Sequence, residues 1–309
     1  MDLRQLRTLI QVAETGSLTS AADRLNTVQP ALSRQIRMLE EEFDVVLFER
    51  QGRGMKPTEA GERLLQHART ILRDVEHARA DLQAVRGTLT GDVFCGAIPS
   101  LGERALVPFA RDFATDNPLV SLRLVTGYAG FLVEWLARRQ VDIALLYDLP
   151  SLANYEVVPL VEEPLFAVAP ASAGLSINKP IGLSELSSMP MILPSPQHGL
   201  RKLLETAVQE RKIKLTVRLE ADSLQAQLDL ARSDFGWTVL PPSAIAQELA
   251  DGHITAAPIC DPEILRRIVL ALPTDRSHPH VVRVFSDALA SHLLSLLGDD
   301  RWPGARALA

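Results

Sequence analysis

Gln29, Pro30, Ser33, Arg34 and Arg37 recur on one side of a segment whose other side carries Leu32, Ile36, Leu39 and Phe43 at steps of 4, 3 and 4. That alternation is the pattern of an amphipathic helix with one buried face. Proline suits a first helical turn, so the predicted helix opens at Pro30. It then offers Gln29, Pro30, Ser33 and Arg34 at its N-terminal end. Small and forked donors at such an end are what a helix lying in the major groove of a duplex requires. On that chemistry Arg34 bonds guanine O6 and N7 together, Gln29 reads adenine and Pro30 touches a thymine methyl, while Arg37 and Arg50 meet phosphates. Arg53, bracketed by Gly52 and Gly54, reaches a minor groove, where narrow A·T tracts attract arginine. Each of these residues taken alone is also an ordinary solvated side chain, so the weight falls on the elements that would hold them.

Those elements read as short helices with tight connections. Asp2 caps a first helix with apolar face Leu3, Leu6, Ile10 and Ala13, and Gly16 ends it. Ser17 or Thr19 caps a second, whose small apolar face is Ala21, Ala22 and Leu25 and which Asn26 closes. After the third helix come VVLFER, QGRG and MK, a strand, a glycine-bracketed turn and a return strand. Three helices and a hairpin over residues 1–57 make a winged helix-turn-helix. Residues 58–87 follow as a long linker helix, capped by Thr58 and stopped by Gly87. Its apolar positions Ala60, Leu64, Ala68, Ile71, Val75, Ala78, Leu82 and Val85 are three or four residues apart, near the 3.5-residue repeat of a coiled coil. This predicts a dimer seam through Leu64, Ala68, Ile71, Val75, Ala78 and Leu82. The alternative is a helix lying on the core of its own domain.

Residues 91–309 change to strand-like runs alternating with helical segments, which predicts an α/β domain with largely parallel sheets. The runs are 93–98, 119–126, 142–147, 165–169, 191–193, 214–220, 237–240 and 267–272; the helices include 130–139, 200–212, 223–232 and 279–297. The length suggests two lobes around a cleft, one of about 91–161 and 266–309, the other of about 162–265. Such folds bind small molecules where strand ends meet helix N-termini, which favour anions. Ser100, with Leu101, in IPSLGER and Ser195, His198 and Gly199 in ILPSPQHGLRK occupy such places. Thr126, Tyr128, Tyr147 and Phe235 are candidate walls. Equally, Ser100 and Ser195 read as helix caps, His198 as a turn residue and Tyr147 as core.

Composition narrows the class of function. The net charge of −6 resides wholly in residues 91–309, because residues 1–90 carry 13 basic and 13 acidic side chains. A local basic patch on an acidic protein is therefore expected, with an acidic knot at Glu40, Glu41, Glu42 and Asp44. Cys95 and Cys260 lie in apolar runs without the spacing of a metal site or disulfide framework, so neither metal nor cofactor is expected and a reducing compartment is. No apolar leader core and no run of about 18 apolar residues is found, which points to the cytoplasm and away from a membrane. The chain has no GxSxG elbow, P-loop, GxGxxG or HExxH, so no catalytic residues are assigned.

The residues Leu9, Ala21, Ala22, Leu25, Gln29, Pro30, Ala31, Leu32, Ser33, Ile36, Leu39, Glu40, Leu47, Phe48, Arg50, Thr58 and Gly61 together resemble the N-terminal pattern of LysR-type transcriptional regulators. GYAGFLVEWL, VDIALLYD, ILPS, HGLRKLLE, ADSL and WTVLPPSAI resemble that family's nitrogen-assimilation-control-like branch. The resemblance implies a bacterial DNA-binding regulator with a periplasmic-binding-protein-like effector half. It also implies a dimer of dimers on double-stranded DNA upstream of target genes, a small metabolite as effector, RNA polymerase as partner, and activation more than repression. The competing readings are a ligand-independent regulator and a small-solute receptor. Thr27 and Val28 stand in the reverse of the family's usual order, which changes how the following helix is capped. Asp44 replaces a common glycine, Ala129 stands where a hydroxyl often meets ligand, and Pro196 stands where an arginine is frequent.

Overall fold

The computed structural model describes residues 1–51, 54–85, 87–274, 278–298, 302 and 304–308. The chain forms two compact units, Met1–Gly91 and Asp92–Ala309.

In the first unit, α1 (Leu3–Thr15) is capped reciprocally by Asp2 and Gln5 and ends at Gly16, whose φ of 63° is the left-handed conformation a glycine adopts without strain. α2 (Leu18–Arg24) follows Ser17. α3 (Gln29–Phe43) begins one residue before the expected proline, behind Val28, which supplies no side-chain cap. Asp44 ends α3 at φ 51°, accepting the left-handed turn in place of a glycine. Leu32, Ile36 and Leu39 are buried with Leu6, Leu9, Val12, Ala21 and Ala22. Phe43, expected on the same buried face, is 43% exposed, because α3 outruns the core in its last turn.

β1 (Phe48–Gln51) and β2 (Gly54–Pro57) pair antiparallel as the wing. The wing is bound to the helices twice. The Met55 N–H donates to the Gly16 carbonyl at 2.7 Å, and Glu40 leaves the acidic knot to accept the N–H groups of Leu47 and Phe48 at 2.8 and 3.4 Å. α4 (Glu59–Ala84) starts at Thr58, whose hydroxyl accepts the Gly61 N–H at 3.0 Å and donates to the Val46 carbonyl at 2.7 Å. Ala68 is wholly buried in the helix-turn-helix core, and Leu64 and Ile71 pack against it. Half of the stripe expected at a dimer seam is thus covered by its own domain, since the start of α4 lies along α1. Ala78 is exposed, and Leu82 and Val85 are 73% and 84% exposed.

The second unit opens with β3 (Gly91–Ala97), a short turn α5 (Pro99–Leu101), a π-helical segment Gly102–Leu106, α6 (Val107–Asp116), β4 (Val120–Thr126), α7 (Ala129–Ala137) and β5 (Ile143–Tyr147). Then come β6 (Tyr155–Pro164), β7 (Phe166–Pro170), β8 (Ile181–Gly182), β9 (Pro190–Leu193), α8 (Gly199–Glu210), β10 (Thr216–Glu220), α9 (Leu224–Arg232), β11 (Thr238–Leu240), α10 (Pro242–Ala250) and β12 (Ile254–Cys260). The chain ends in β13 (Leu265–Pro273), α11 (His280–Ser295) and β14 (Arg306–Ala307).

One sheet runs β14-β6-β13-β5-β3-β4 and another β11-β7-β12-β8, with β10 beside β9. The sheets are mixed, contrary to the largely parallel expectation: β13 is antiparallel to β5 and β6, and β7 is antiparallel to β11 and β12. The reason is the crossover. The chain leaves the first sheet after Pro164, builds the second lobe, and returns as β13 into the gap between β5 and β6. An apolar run such as RIVLAL fits a buried strand in either direction, so its composition is silent on orientation. Phe109, Phe113 and Phe285 close the first lobe between α6 and α11, with ring centroids 5.1–5.6 Å apart.

Candidate functional site

In the first unit, Gln29, Pro30, Arg34 and Arg37 are exposed along α3 and Ser33 is half-buried, opposite the buried Leu32, Ile36 and Leu39. Arg50 is exposed on β1, and Arg53 lies outside the described residues. None of Arg34, Arg37 and Arg50 is held in an ion pair with a described residue, whereas Arg7, Arg63 and Arg79 are paired with Glu76, Glu59 and Glu76. Among the described residues the α3 face and β1 therefore hold cations with no carboxylate partner, which suits phosphate and base-edge contacts.

In the second unit a cavity lies between the lobes. Its wall is mainly apolar, with Ile98, Pro99, Leu200, Leu224 and Leu240, and it includes the predicted Ser100, Tyr128, Ala129, Tyr147 and His198. Helix beginnings converge on it. Ala129 is the first residue of α7, Leu200 the second of α8, Leu224 the first of α9, and Pro241 caps α10. The partial positive charge of each helix start favours an anion there.

Two tyrosines of the first lobe close on the second. The Tyr128 hydroxyl donates to the Asp222 carbonyl at 2.7 Å, and the Tyr147 hydroxyl accepts the Gly199 N–H. Burial raises both phenols above their ordinary value; the Asp222 charge adds to the rise at Tyr128, while Arg266 opposes it at Tyr147. His198 caps α8, its Nδ1 accepting the Leu200 N–H at 3.2 Å, and its ring meets Tyr128 edge-on at 5.1 Å. Burial first, then Arg266, hold this imidazole below its ordinary 6.5, against the opposing pull of Asp222. It is accordingly neutral near pH 7, and with Nδ1 accepting it carries its proton on Nε2 as a donor. His198 is thus both the turn residue and a cavity wall.

Several expected cleft residues stand elsewhere. Leu101 is 1% exposed in the first lobe's core. Thr126 is exposed beside Gly102. Phe235 lies under the Arg218 guanidinium, 3.8 Å from its ring centroid, and its carbonyl accepts from Arg218 at 2.7 Å; it covers a flank of β10, because the turn after α9 leads away from the strand ends. Ser195 is a structural link, its N–H donating to Asp222 Oδ1 at 2.8 Å, and Gly199 is the close-approach point for Tyr147.

Sequence reasoning missed Asp222, Gln227 and Arg266 in the wall and Ser243 and Glu163 behind it. Ser243 had a signal: AIPS, LPS and LPPS repeat a strand end, proline and serine at residues 97–100, 193–195 and 240–243. Glu163 and Arg266 had none, because they become neighbours only through the register of β6 on β13.

Residues 3–62 match the lysR-family bacterial regulatory helix-turn-helix, and residues 86–294 match the LysR substrate binding domain. The chain belongs to the LysR family of bacterial regulators, and so is a DNA-binding transcriptional regulator with an effector domain. It is 32% identical over 291 residues to the "Probable nitrogen assimilation transcriptional activator" of Synechococcus elongatus, covering 92% of this chain and 93% of that one. It is 34% identical over 246 residues to the nitrogen assimilation regulatory protein nac of Klebsiella aerogenes, covering 79% of each. Full-length CbnR, solved in complex with its target DNA, shares the fold with a TM-score of 0.71 at 24% identity, over 94% of this chain and 100% of that one. Among the described residues no helix is long and apolar enough to cross a membrane.

Proposed function

We propose that Gln29, Pro30, Ser33 and Arg34 read base edges in a major groove, that Arg37 and Arg50 hold phosphates, and that Arg53 enters the minor groove. The observation that carries this is the uncommitted polar face of α3, set beside a wing by the Met55–Gly16 and Glu40–Leu47 bonds. The test is Arg34→Ala, measured by fluorescence anisotropy on a duplex that the wild-type protein selects from random DNA. Loss of one bidentate guanine contact weakens specific binding by about 1–3 kcal/mol and leaves nonspecific binding unchanged. Equal loss on both makes Arg34 a phosphate contact.

The cleft takes a small anionic effector, which the helix starts of α7–α10 support. Closure shifts by no more than the ligand's differential affinity for the open and closed arrangements. Regulation is by activation, a reading supported by the name of the Synechococcus relative, through a cytoplasmic dimer of dimers upstream of target genes that contacts RNA polymerase. The linker α4 dimerises through the part left uncovered, Val75, Ala78 and Leu82, with Val85 beyond it. Leu82→Glu places a charge in that seam while sparing the domain core that Ile71 touches. Sedimentation of this variant gives monomers where wild type gives dimers or larger; an unchanged assembly refutes the seam.

A further inference from the structure

Where the chain passes between the lobes, Arg266 stands opposite Glu163 on the paired strands β13 and β6. Glu163 is wholly buried and Arg266 is 6% exposed. A carboxylate taken that far from water needs every lone pair engaged. Glu163 Oε1 accepts from Arg266 Nε at 2.6 Å and from Ser243 Oγ at 3.2 Å. Oε2 accepts from Trp302 Nε1 at 2.7 Å. The guanidinium Nη2, held at 2.5 Å by Glu163, also donates to Ser100 of the first lobe at 2.8 Å and Ser243 of the second at 3.2 Å. One side chain on the cavity wall thus touches the helix starts of both lobes, and its anchor depends on an indole from the end of the chain.

That end is itself docked. Arg306 and Ala307 pair with Glu162 and Val161 of β6, the Leu308 N–H donates to the Leu160 carbonyl at 2.9 Å, and Arg306 lies 3.3 Å from Glu263. We infer that Trp302 and Glu163 are positioning residues of the cleft: the C-terminal segment, docked through Trp302 on Glu163, holds Arg266 against Ser100 and so sets how tightly the lobes close on an anion. This rests on the reading of the cleft as the effector site.

The phenylalanine in Trp302→Phe keeps the ring packing and removes the donor, leaving Oε2 buried without a partner. In full-length protein, hydrogen exchange of the Leu101, Gly102 and Ala244 amides, which close the first turns of α5 and α10, is expected to quicken by about tenfold, with the β3 and β5 amides unchanged. Titrated with succinate and with sulfate against chloride of matched ionic strength, the variant is expected to show an apparent Kd raised by about tenfold. Glu163→Gln, which preserves shape and weakens the hold on Arg266, serves if Trp302→Phe fails to fold and is expected to act alike. Unchanged exchange at those three amides overturns the proposal whatever the probes do. Faster exchange with unchanged anion affinity also overturns it, since Trp302 is then a structural contact alone. If wild type binds neither anion, it is the effector reading that fails, and the exchange result decides the positioning role.

Discussion

Gly61→Ala is expected to lower the stability of the Met1–Gly91 unit by about 3 kcal/mol, even though alanine in a helix interior is intrinsically favoured over glycine by about 1 kcal/mol. The added Cβ would stand 2.2 Å from the Leu47 carbonyl oxygen, 3.2 Å from its carbon and 3.3 Å from Pro57 Cβ. The backbone it meets has nowhere to go. The Leu47 carbonyl already accepts the Thr58 N–H at 3.0 Å, the Leu47 N–H is held by Glu40 at 2.8 Å, and the side chain is 1% exposed in the core. Either α4 lifts from the wing or the Leu47 segment tears from Glu40, and each route gives up bonds that cap α4 and start β1. For a unit of this size the loss corresponds to a fall in midpoint of roughly 10–20 °C, read as the first unit's transition by calorimetry. Specific duplex binding is lost with it. A midpoint within about 2 °C of wild type would show that the close approach is relieved without cost.

Gly199→Ala is expected to act on the cleft instead. Its Cβ would lie 2.3 Å from the Tyr147 hydroxyl and 2.5 and 2.7 Å from two ring carbons. Tyr147 belongs to β5, buried along its whole length, so its ring cannot step aside cheaply. The remaining relief is to part the lobes by about 1 Å, which breaks the Gly199–Tyr147 bond and spoils the contact surface on which a closed ligand complex depends. Because parting the lobes would leave both lobe cores intact, the stability of the empty protein should change by no more than about 1–2 kcal/mol. Succinate or sulfate binding, followed by titration calorimetry, should weaken by more than about tenfold. Affinity equal to wild type would mean that the closed arrangement plays no part in ligand capture.

The local elements were legible from residue type and spacing. The run of Leu32, Ile36 and Leu39 at steps of 4 and 3 marks a helix with one buried face wherever it occurs, and Asp2, Gly16 and Thr58 mark ends because capping chemistry is a matter of a few neighbouring residues, whereas α4 stops at Ala84, short of the expected Gly87. The reversed Thr27–Val28 pair was expected to change the capping of the helix that follows, and α3 begins behind Val28 with no side-chain cap. Ser100, Tyr128, Ala129, Tyr147 and His198 were within reach because a strand end followed by a helix start is itself a local pattern. Phe235 misled, since an aromatic near a strand end looks the same whether it faces a cleft or lies under an arginine on the flank.

What the tertiary structure decided were the relations between distant segments. The insertion of β13 between β5 and β6, the burial of Ala68 in its own domain, and the Glu163–Arg266–Trp302 group depend on which strand lies beside which and in what register. An apolar strand packs equally well in either direction, and a buried carboxylate is tolerable only where donors from far along the chain converge on it. Side-chain order along the chain therefore determined the helices, most of the caps and the exposed polar face of α3. The cleft's charge arrangement, and the tail that holds it, arose only when residues more than 100 positions apart were brought within hydrogen-bonding distance.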